Sequence, residues 1–509
     1  MLNKNKKESG SVKAGSTYKK IKIITIAALS AILVTIIVIA AFYIPKAIET
    51  ERARQEAKSR IVRYTYCFAI DYNDRQGIRI PTVWTKDFEL KDFRQWNDNP
   101  GAAMVDPSGI LKAGSLAEKG DQTTITFSLD GKIACVIYVY VVEAEGYISS
   151  VADLKNLDNQ SGAYIQTEDI MLTESVSIKN FRGKYYGNHR VISGHDVSAG
   201  GGLFDTSLGG GFYGIALTNI KGKIENAADG YYGALLNKGE YCKIEYCSAE
   251  GGFEAKNVGG IGAVGGIAGY MKGLSRLADE DPYLDHVEAC TTNLNIKAEI
   301  SGGSPRIGGV IGYAENMTIS DTTIRGKIEV SVPDALNIVR LYAGGFAGEI
   351  KRVYDLAASR ITYLDSSYNL VSYADITVSV TGGDELKTVY AGGIFGSVTN
   401  LSAGNIFCEG SLSINGGGAT VVAGGVAARS ENEMRIGDYV GSIRMDIHKC
   451  KVTKAISIES SGDVIAGGIA GYAIKTDLDE NEAKSPAVTG SREGRQTHIS
   501  DGIGMTGAA

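Results

Sequence analysis

The chain is 509 residues long, with 65 Gly, only 8 Pro and a formal net charge of −6. That length exceeds one ordinary core and predicts two or more units. Glycine this abundant, with no three-residue period and little proline, excludes collagen. The many Ile, Val and Tyr residues also exclude a disordered Gly-rich chain, so the glycines are expected to serve a folded, turn-dense structure.

Residues 1–22 carry seven Lys and one acid, Glu8. The 22 residues from Ile23 to Ile44, "IITIAALSAILVTIIVIAAFYI", hold no charge. As a helix this run is about 33 Å long, enough for a bilayer core and longer than the apolar region of a cleaved signal peptide. It predicts a transmembrane helix contacting the lipid bilayer over 23–44. The basic segment 1–22 is then expected to be cytoplasmic by the positive-inside rule and the rest of the chain extracellular. Residues 45–63, with "KAIETERARQEAKSRIVR", are rich in helix formers and read as a helical stalk rather than a basic amphipathic surface helix. Beyond residue 63 acids outnumber bases 54 to 39. This disfavours nucleic acid as a partner.

From 64 to 147 the pattern changes to short alternating strands, "YTYCFAIDY", "TTITFSLDG" and "KIACVIYVYVV", separated by turn residues, which predicts a small β-sandwich. The run "NPGAAMVDPSGILKAGSLAEKGDQTTITFSLDGKIACVIYVYV" resembles the bacterial immunoglobulin-like (Big) domains. The resemblance implies a spacer or binding module, with Cys67 and Cys135 on its first and last strands and a bond between them left open.

The next stretch repeats itself. "GGIGAVGGIAGY" contains a literal G-x-G-x-x-G, but its Gly265–Gly266 pair returns as Gly308–Gly309, Gly344–Gly345, Gly392–Gly393, Gly424–Gly425 and Gly467–Gly468. The first glycines of successive pairs lie 43, 36, 48, 32 and 43 residues apart, a period of stacked repeats rather than of one nucleotide loop, so no cofactor is expected. Each interval carries an alternating strand: "LNIKAEI", "KIEVSV", "ADITVSV", "SLSI" and "KAISI". In a stacked coil a repeated bend calls for residues without Cβ, for unusual φ and for close approach, and the hydrophobe after each pair is expected to point inward. Cys247, Cys290, Cys408 and Cys450, with Asp321 in the comparable place of one repeat, read as an inward column of small hydrophobes rather than a metal cluster.

This repeat resembles the GLUG-repeat proteins, with "YISSVADLKNLDNQSGAYIQTEDIML" and "GGLFDTSLGGGFYGIALTNIKGKI" as the opening rung. The resemblance covers 148–473 and implies an exported β-solenoid of the kind found in bacterial adhesins and in the non-catalytic parts of some surface peptidases. It departs from the family at Ala428, where the third Gly is missing, and at the inserts "LSRLADEDPYLDH" and "RSENEMRIGDYVGSIRMD". Residues 474–509 have little apolar content and are expected to be a disordered tail. The expected fold is thus an all-β extracellular region, a right-handed parallel β-helix preceded by an immunoglobulin-like sandwich, on one N-terminal transmembrane helix.

Chemistry is sparse. Aligning strands on their final apolar residue puts Glu299, Ser379, Ser413 and Ser457 at one outward position, a solvated face rather than the paired carboxylates of a polysaccharide-cleaving coil. Asp279, Glu280, Asp281 and Asp285 read as an exposed acidic loop, with calcium binding left open. The run from Asp477 fails as an EF-hand because Glu482 and Val488 stand where Gly and Glu are needed. The five His are scattered without H-E-x-x-H spacing, and no G-x-S-x-G occurs. With 27 Tyr against 12 Phe, a repetitive face suits recognition of an extracellular glycan or matrix protein, unless Tyr only fills β-positions by propensity. The expected function is non-catalytic display and adhesion at the cell membrane. Polysaccharide cleavage and pilin-like assembly are the rivals; "STYKKIK" lacks a pilin junction.

Overall fold

A computed structural model of the chain describes Leu33, Tyr43, 51–52, 55–56, 58–74, 76–85, 88–274, 285–333, 339–353, 366–381, 388–432, 445–489, 497–500 and 502–506. Apart from Leu33 and Tyr43, which are helical, the expected membrane span lies outside these residues. Among the described residues no helix is long and apolar enough to cross a membrane. In the expected stalk, Glu51, Arg52, Gln55, Glu56, Lys58 and Ser59 are helical.

Between 64 and 142 the strands fall into two small sheets. One runs in the order Tyr64–Asp71, Lys132–Val142, Gln122–Leu129, Arg94–Asn97, and the other in the order Ile78–Arg79, Ile110–Ala113, Ala103–Val105. The chain resolves into two compact units, one of Met1–Tyr64, Pro81–Gln95 and Thr126–Cys135, the other of Thr65–Ile80, Trp96–Ile125 and Val136–Ala509. The first unit is centred on Trp84, which is fully buried with its ring centroid 5.0 Å from both Phe93 and Phe127.

The second unit carries the coil. Its strands form three parallel sheets of 22, 9 and 8 strands. Successive rungs pair in register, as in Thr291–Ile300 against Thr323–Val332, where Leu294, Ile296 and Ala298 point in while Asn293, Asn295 and Lys297 point out. One apolar core runs from Ile148 to Ile469. The coil begins at Ala144–Ile148, which pairs with Ala163–Gln166, four residues before the expected start.

The expected disordered tail instead continues the coil. Thr476–Asp479, Ala487–Thr489, Thr497–Ser500 and Ile503–Thr506 pair in parallel with the rung before them. Each takes its backbone partners from an existing edge, so low apolar content does not prevent pairing.

The glycine pairs mark the corner where the eight-stranded sheet gives way to the nine-stranded one: Arg306–Gly308 ends on a first glycine and Ile311–Glu315 follows the pair. None of the twelve glycines has a positive φ, so the expected need for unusual φ is not what selects them. Crowding selects them. A Cβ on Gly309, Gly345 or Gly393 would run into the carbonyl oxygen of Gly345, Gly393 or Gly425 on the next rung. The hydrophobes after the pairs, Ile267, Val310, Phe346, Ile394, Val426 and Ile469, are all buried as expected. Ala428 is fully buried, and its strand keeps register with Phe395–Thr399 and Ala470–Ile474.

Left-handed backbone appears at other bends. Tyr246, Ala289, Asp321, Asn369, Asn405, Lys449 and Glu480 form one column of positive φ, each one residue before an inward side chain or its equivalent. Asn369 Nδ2 donates to Asp321 Oδ1 at 2.9 Å, and Asn405 donates to Asn369, so the short amides continue rung to rung.

Candidate functional site

The register places the outward residues more exactly than apolar alternation does, and it corrects two expected columns. Glu299 stacks on Ser331, Ser379, Asn415 and Glu459, whereas Ser413 and Ser457 follow Lys297, Glu329 and Thr377 in the neighbouring column. Charges alternate there: Lys297 Nζ lies 3.9 Å from Glu254 and 3.8 Å from Glu329. These pairs are exposed, so they contribute little. The cysteines divide as well. Cys247 and Cys290 face each other on adjacent rungs, Cys450 lies beside Ile406 in the same column, and Cys408 sits two positions on, beside Val452. Thr322, not Asp321, is the counterpart of Cys290; Asp321 occupies the left-handed bend. All seven cysteines, including Cys67 and Cys135, are free and buried.

The acidic loop does not assemble among the described residues. Asp279, Glu280 and Asp281 lie outside them, and Asp285 is buried with Oδ2 accepting from Leu274 N at 2.9 Å. Among the described residues no group of His, Cys, Asp and Glu is placed to hold a metal.

The side chains that do converge line the glycine corner. Two residues before each pair, the eight-stranded sheet stacks Ala263, Arg306, Tyr342, Tyr390, Val422 and Ile465. Four residues after each pair, the nine-stranded sheet stacks Tyr270, Tyr313, Glu349, Ser397, Arg429 and Tyr472. Glycine brings the two columns together. Tyr231 stacks on Tyr270 with centroids 4.8 Å apart, and Tyr270 meets Tyr313 at 5.3 Å with the rings tilted by 33°. The Arg306 guanidinium lies 4.4 Å over the Tyr313 ring and 5.7 Å from that of Tyr342, while its Nε donates to Glu349 Oε2. Tyr342 and Tyr390 stack at 5.2 Å, 12° from parallel. Farther along, Arg429 pairs with Glu431.

Burial first, and the nearby Glu349 and Glu315 carboxylates second, push the Tyr313 phenol well above its ordinary value; burial and Glu315 do the same at Tyr270. Both hydroxyls are protonated at physiological pH, and that of Tyr313 donates to Glu315 Oε2 at 3.3 Å. Each guanidinium is matched by a carboxylate or ring within the column. Tyr270, Tyr342 and Glu349 are buried within the column, so what reaches solvent is the half-buried Tyr231, Tyr313, Tyr390 and Tyr472 rather than net charge. The signal in the sequence was the Tyr closing motifs such as "AVGGIAGY" and "RIGGVIGY", read together with Arg306, Tyr342 and Tyr390 two places before three of the six pairs.

A second cluster is enclosed. Glu245 Oε2 accepts from Tyr140 at 2.9 Å, and Oε1 lies 2.9 Å from His286 Nε2, which is also 3.5 Å from Glu288. Burial alone would raise Glu245, but the contacts with His286 and Tyr140 outweigh it and hold the carboxyl below its usual range. Burial leaves Glu288 raised, with His286 opposing it. Glu245 and His286 are both buried, so this group orders the rungs beside Tyr140. Neighbouring tyrosines reinforce it: Tyr138 stacks on Tyr246 and Tyr186 on Tyr213. A separate cleft of about 370 Å³ is lined by Lys119, Asp121, Glu143, Glu145, Arg182 and Lys184, with Lys119 and Glu143 paired at 2.7 Å.

No protein-family model matches the chain, and no curated protein matches it.

Proposed function

We propose that the chain is a membrane-anchored bacterial surface protein of the GLUG-repeat kind. Its right-handed coil, held off the cell by an immunoglobulin-like spacer, binds an extracellular glycan or matrix protein without chemistry. The reading is supported by the Tyr–Arg–Glu column at the glycine corner. Tyr270 and Tyr342 are buried between their neighbours, while Tyr313 and Tyr390 are half-buried and keep an edge for a ligand. Parallel strands space the rungs about 4.8 Å apart. Such a rail suits an extended polyhydroxylated or peptide chain that exchanges hydrogen bonds over several rungs.

A net hydrogen bond contributes about 1 kcal/mol, so losing one phenol hydroxyl weakens binding roughly fivefold. The test is a glycan and matrix-protein array probed with the detergent-solubilised chain and with Tyr313→Phe and Tyr390→Phe. The expected result is saturable retention of at least one ligand class, weakened in each variant and further in the double variant. Retention unchanged in the double variant overturns the corner as the site. Release of reducing ends from pectin, alginate or peptidoglycan fragments overturns the non-catalytic reading.

A further inference from the structure

Two cysteines in the coil stand in facing register. Glu245 pairs with Glu288 and Ser248 with Thr291, so Cys247 and Cys290, lying between these pairs, occupy the same inward position on adjacent rungs. In-register parallel neighbours are about 4.8 Å apart, within the roughly 4.4–6.8 Å Cα separation that a disulfide spans. The Cys290 sulfur leans toward the rung of Cys247, 3.6 Å from Ile244 O. The Cys247 sulfur lies 3.3 Å from Glu245 O and 3.5 Å from Phe212 O of the preceding rung, so bond formation requires its rotation about Cα–Cβ to the side of Cys290. Cys408 and Cys450 have no such relation: Cys408 lies between Ser372 and Val452, and Cys450 beside Ile406.

The geometry points to Cys247 and Cys290 as a modification site, a rung-to-rung disulfide formed during folding in an oxidising compartment by exchange with a small-molecule disulfide. In the first step one protein thiolate attacks the small-molecule disulfide, forms a mixed disulfide and releases one small thiolate. The second protein thiolate then displaces the other. The protein sulfurs are oxidised, the co-reactant's S–S bond is reduced, and the two protein thiol protons end on the released thiols. Timing follows from burial. Both thiols are almost fully enclosed in the finished coil, and burial, with the contact to Cys247 adding to it, pushes the Cys290 thiol far above its ordinary value. A buried protonated thiol is a poor nucleophile, so the bond forms before the rungs close over it. The link staples the two rungs that carry Glu245 and His286, beside the Tyr138–Tyr246 stack.

The test is synthesis of the full chain in a detergent-supplemented cell-free lysate buffered with glutathione and glutathione disulfide. Acid quenching, unfolding and alkylation without reductant follow, then peptide mapping of the monomer. The expected result is five alkylated cysteines of the seven and one cross-linked peptide joining Cys247 to Cys290. In Cys247→Ser and in Cys290→Ser all six remaining cysteines should be alkylated. Seven alkylated cysteines in the unaltered chain, or a cross-link joining any other pair, overturns the proposal. The map of the unaltered chain decides the matter even if a variant folds poorly.

Discussion

At the scale of single residues, two kinds of glycine do different work, and substitution separates them. Gly345 has ordinary backbone, but a Cβ there meets the Gly393 carbonyl oxygen and lies 3.1 Å from Ile324 Cδ1. Gly209 has φ of +70° with nothing within 4 Å of a Cβ. Gly345→Asn is therefore expected to cost about 3 kcal/mol or more, because the obstacle is backbone of the next rung. Gly209→Asn is expected to cost less than about 1 kcal/mol, since Asn tolerates left-handed backbone. Thermal unfolding of both variants checks this, and equal losses would show that conformation rather than crowding selects the paired glycines. The repetition of the pairs was legible because one residue type alone satisfies the crowding at every rung. The left-handed column was not legible, because Ala289, Lys449 and Glu480 occupy it as well as Asn369 and Asn405. Nothing in residue identity announces such a column when several side chains tolerate it at modest cost.

At the scale of elements, the strand Tyr64–Asp71 is clasped by one corner of the coil. Asn188 Oδ1 accepts from Ala69 N at 2.8 Å and its Nδ2 donates to Ala69 O at 3.0 Å, so one amide side chain stands in for a strand partner. Beside it, Cys67 N donates to His189 Nε2 at 2.9 Å, which requires an imidazole unprotonated at that nitrogen. Burial lowers the His189 pKa from 6.5 to about 4. The unfolded chain therefore binds this proton more readily than the folded one. The stabilisation is present above pH 6.5, declines as pH falls toward 4 and is lost below it, a change of roughly 3 kcal/mol. Urea midpoints at pH 7 and pH 4 for the unaltered chain and for His189→Gln check this, with a smaller pH difference expected in the variant. An equal difference would place the acid sensitivity elsewhere. Strand existence was legible along the coil, but strand register was not. The buried position aligned with Val380 is held by Gly416, so counting back from the last apolar residue of Leu412–Gly417 slips Ser413 by two places. Hydrogen-bonded pairing fixes register, and a buried glycine hides it from any apolar pattern.

At the scale of the whole molecule, the coil is a stack in which each rung is covered by the next, so the residues that close the described coil matter more than their composition suggests. Without the last strands, Met445–Val452, Ser457–Ser460, Val464–Gly467 and Ala470–Ile474 would each present a free edge. Leu478 and Val488 would also leave the apolar core they pack against. An uncovered parallel edge above an apolar interior is a template for a second copy of the same edge. The segment looked disordered in the sequence because its strands are short and interrupted by polar runs. Their partners are supplied by the rung already folded, so little apolar burial of their own is required. A chain ended after Lys475 is therefore expected to unfold at lower temperature and to self-associate as its concentration rises. Size-exclusion chromatography with light scattering, run beside the full-length chain in the same detergent, measures both species. A truncated chain with the full-length melting temperature and no added association would show that the coil is already closed at Ile474 and that the later strands are only adherent.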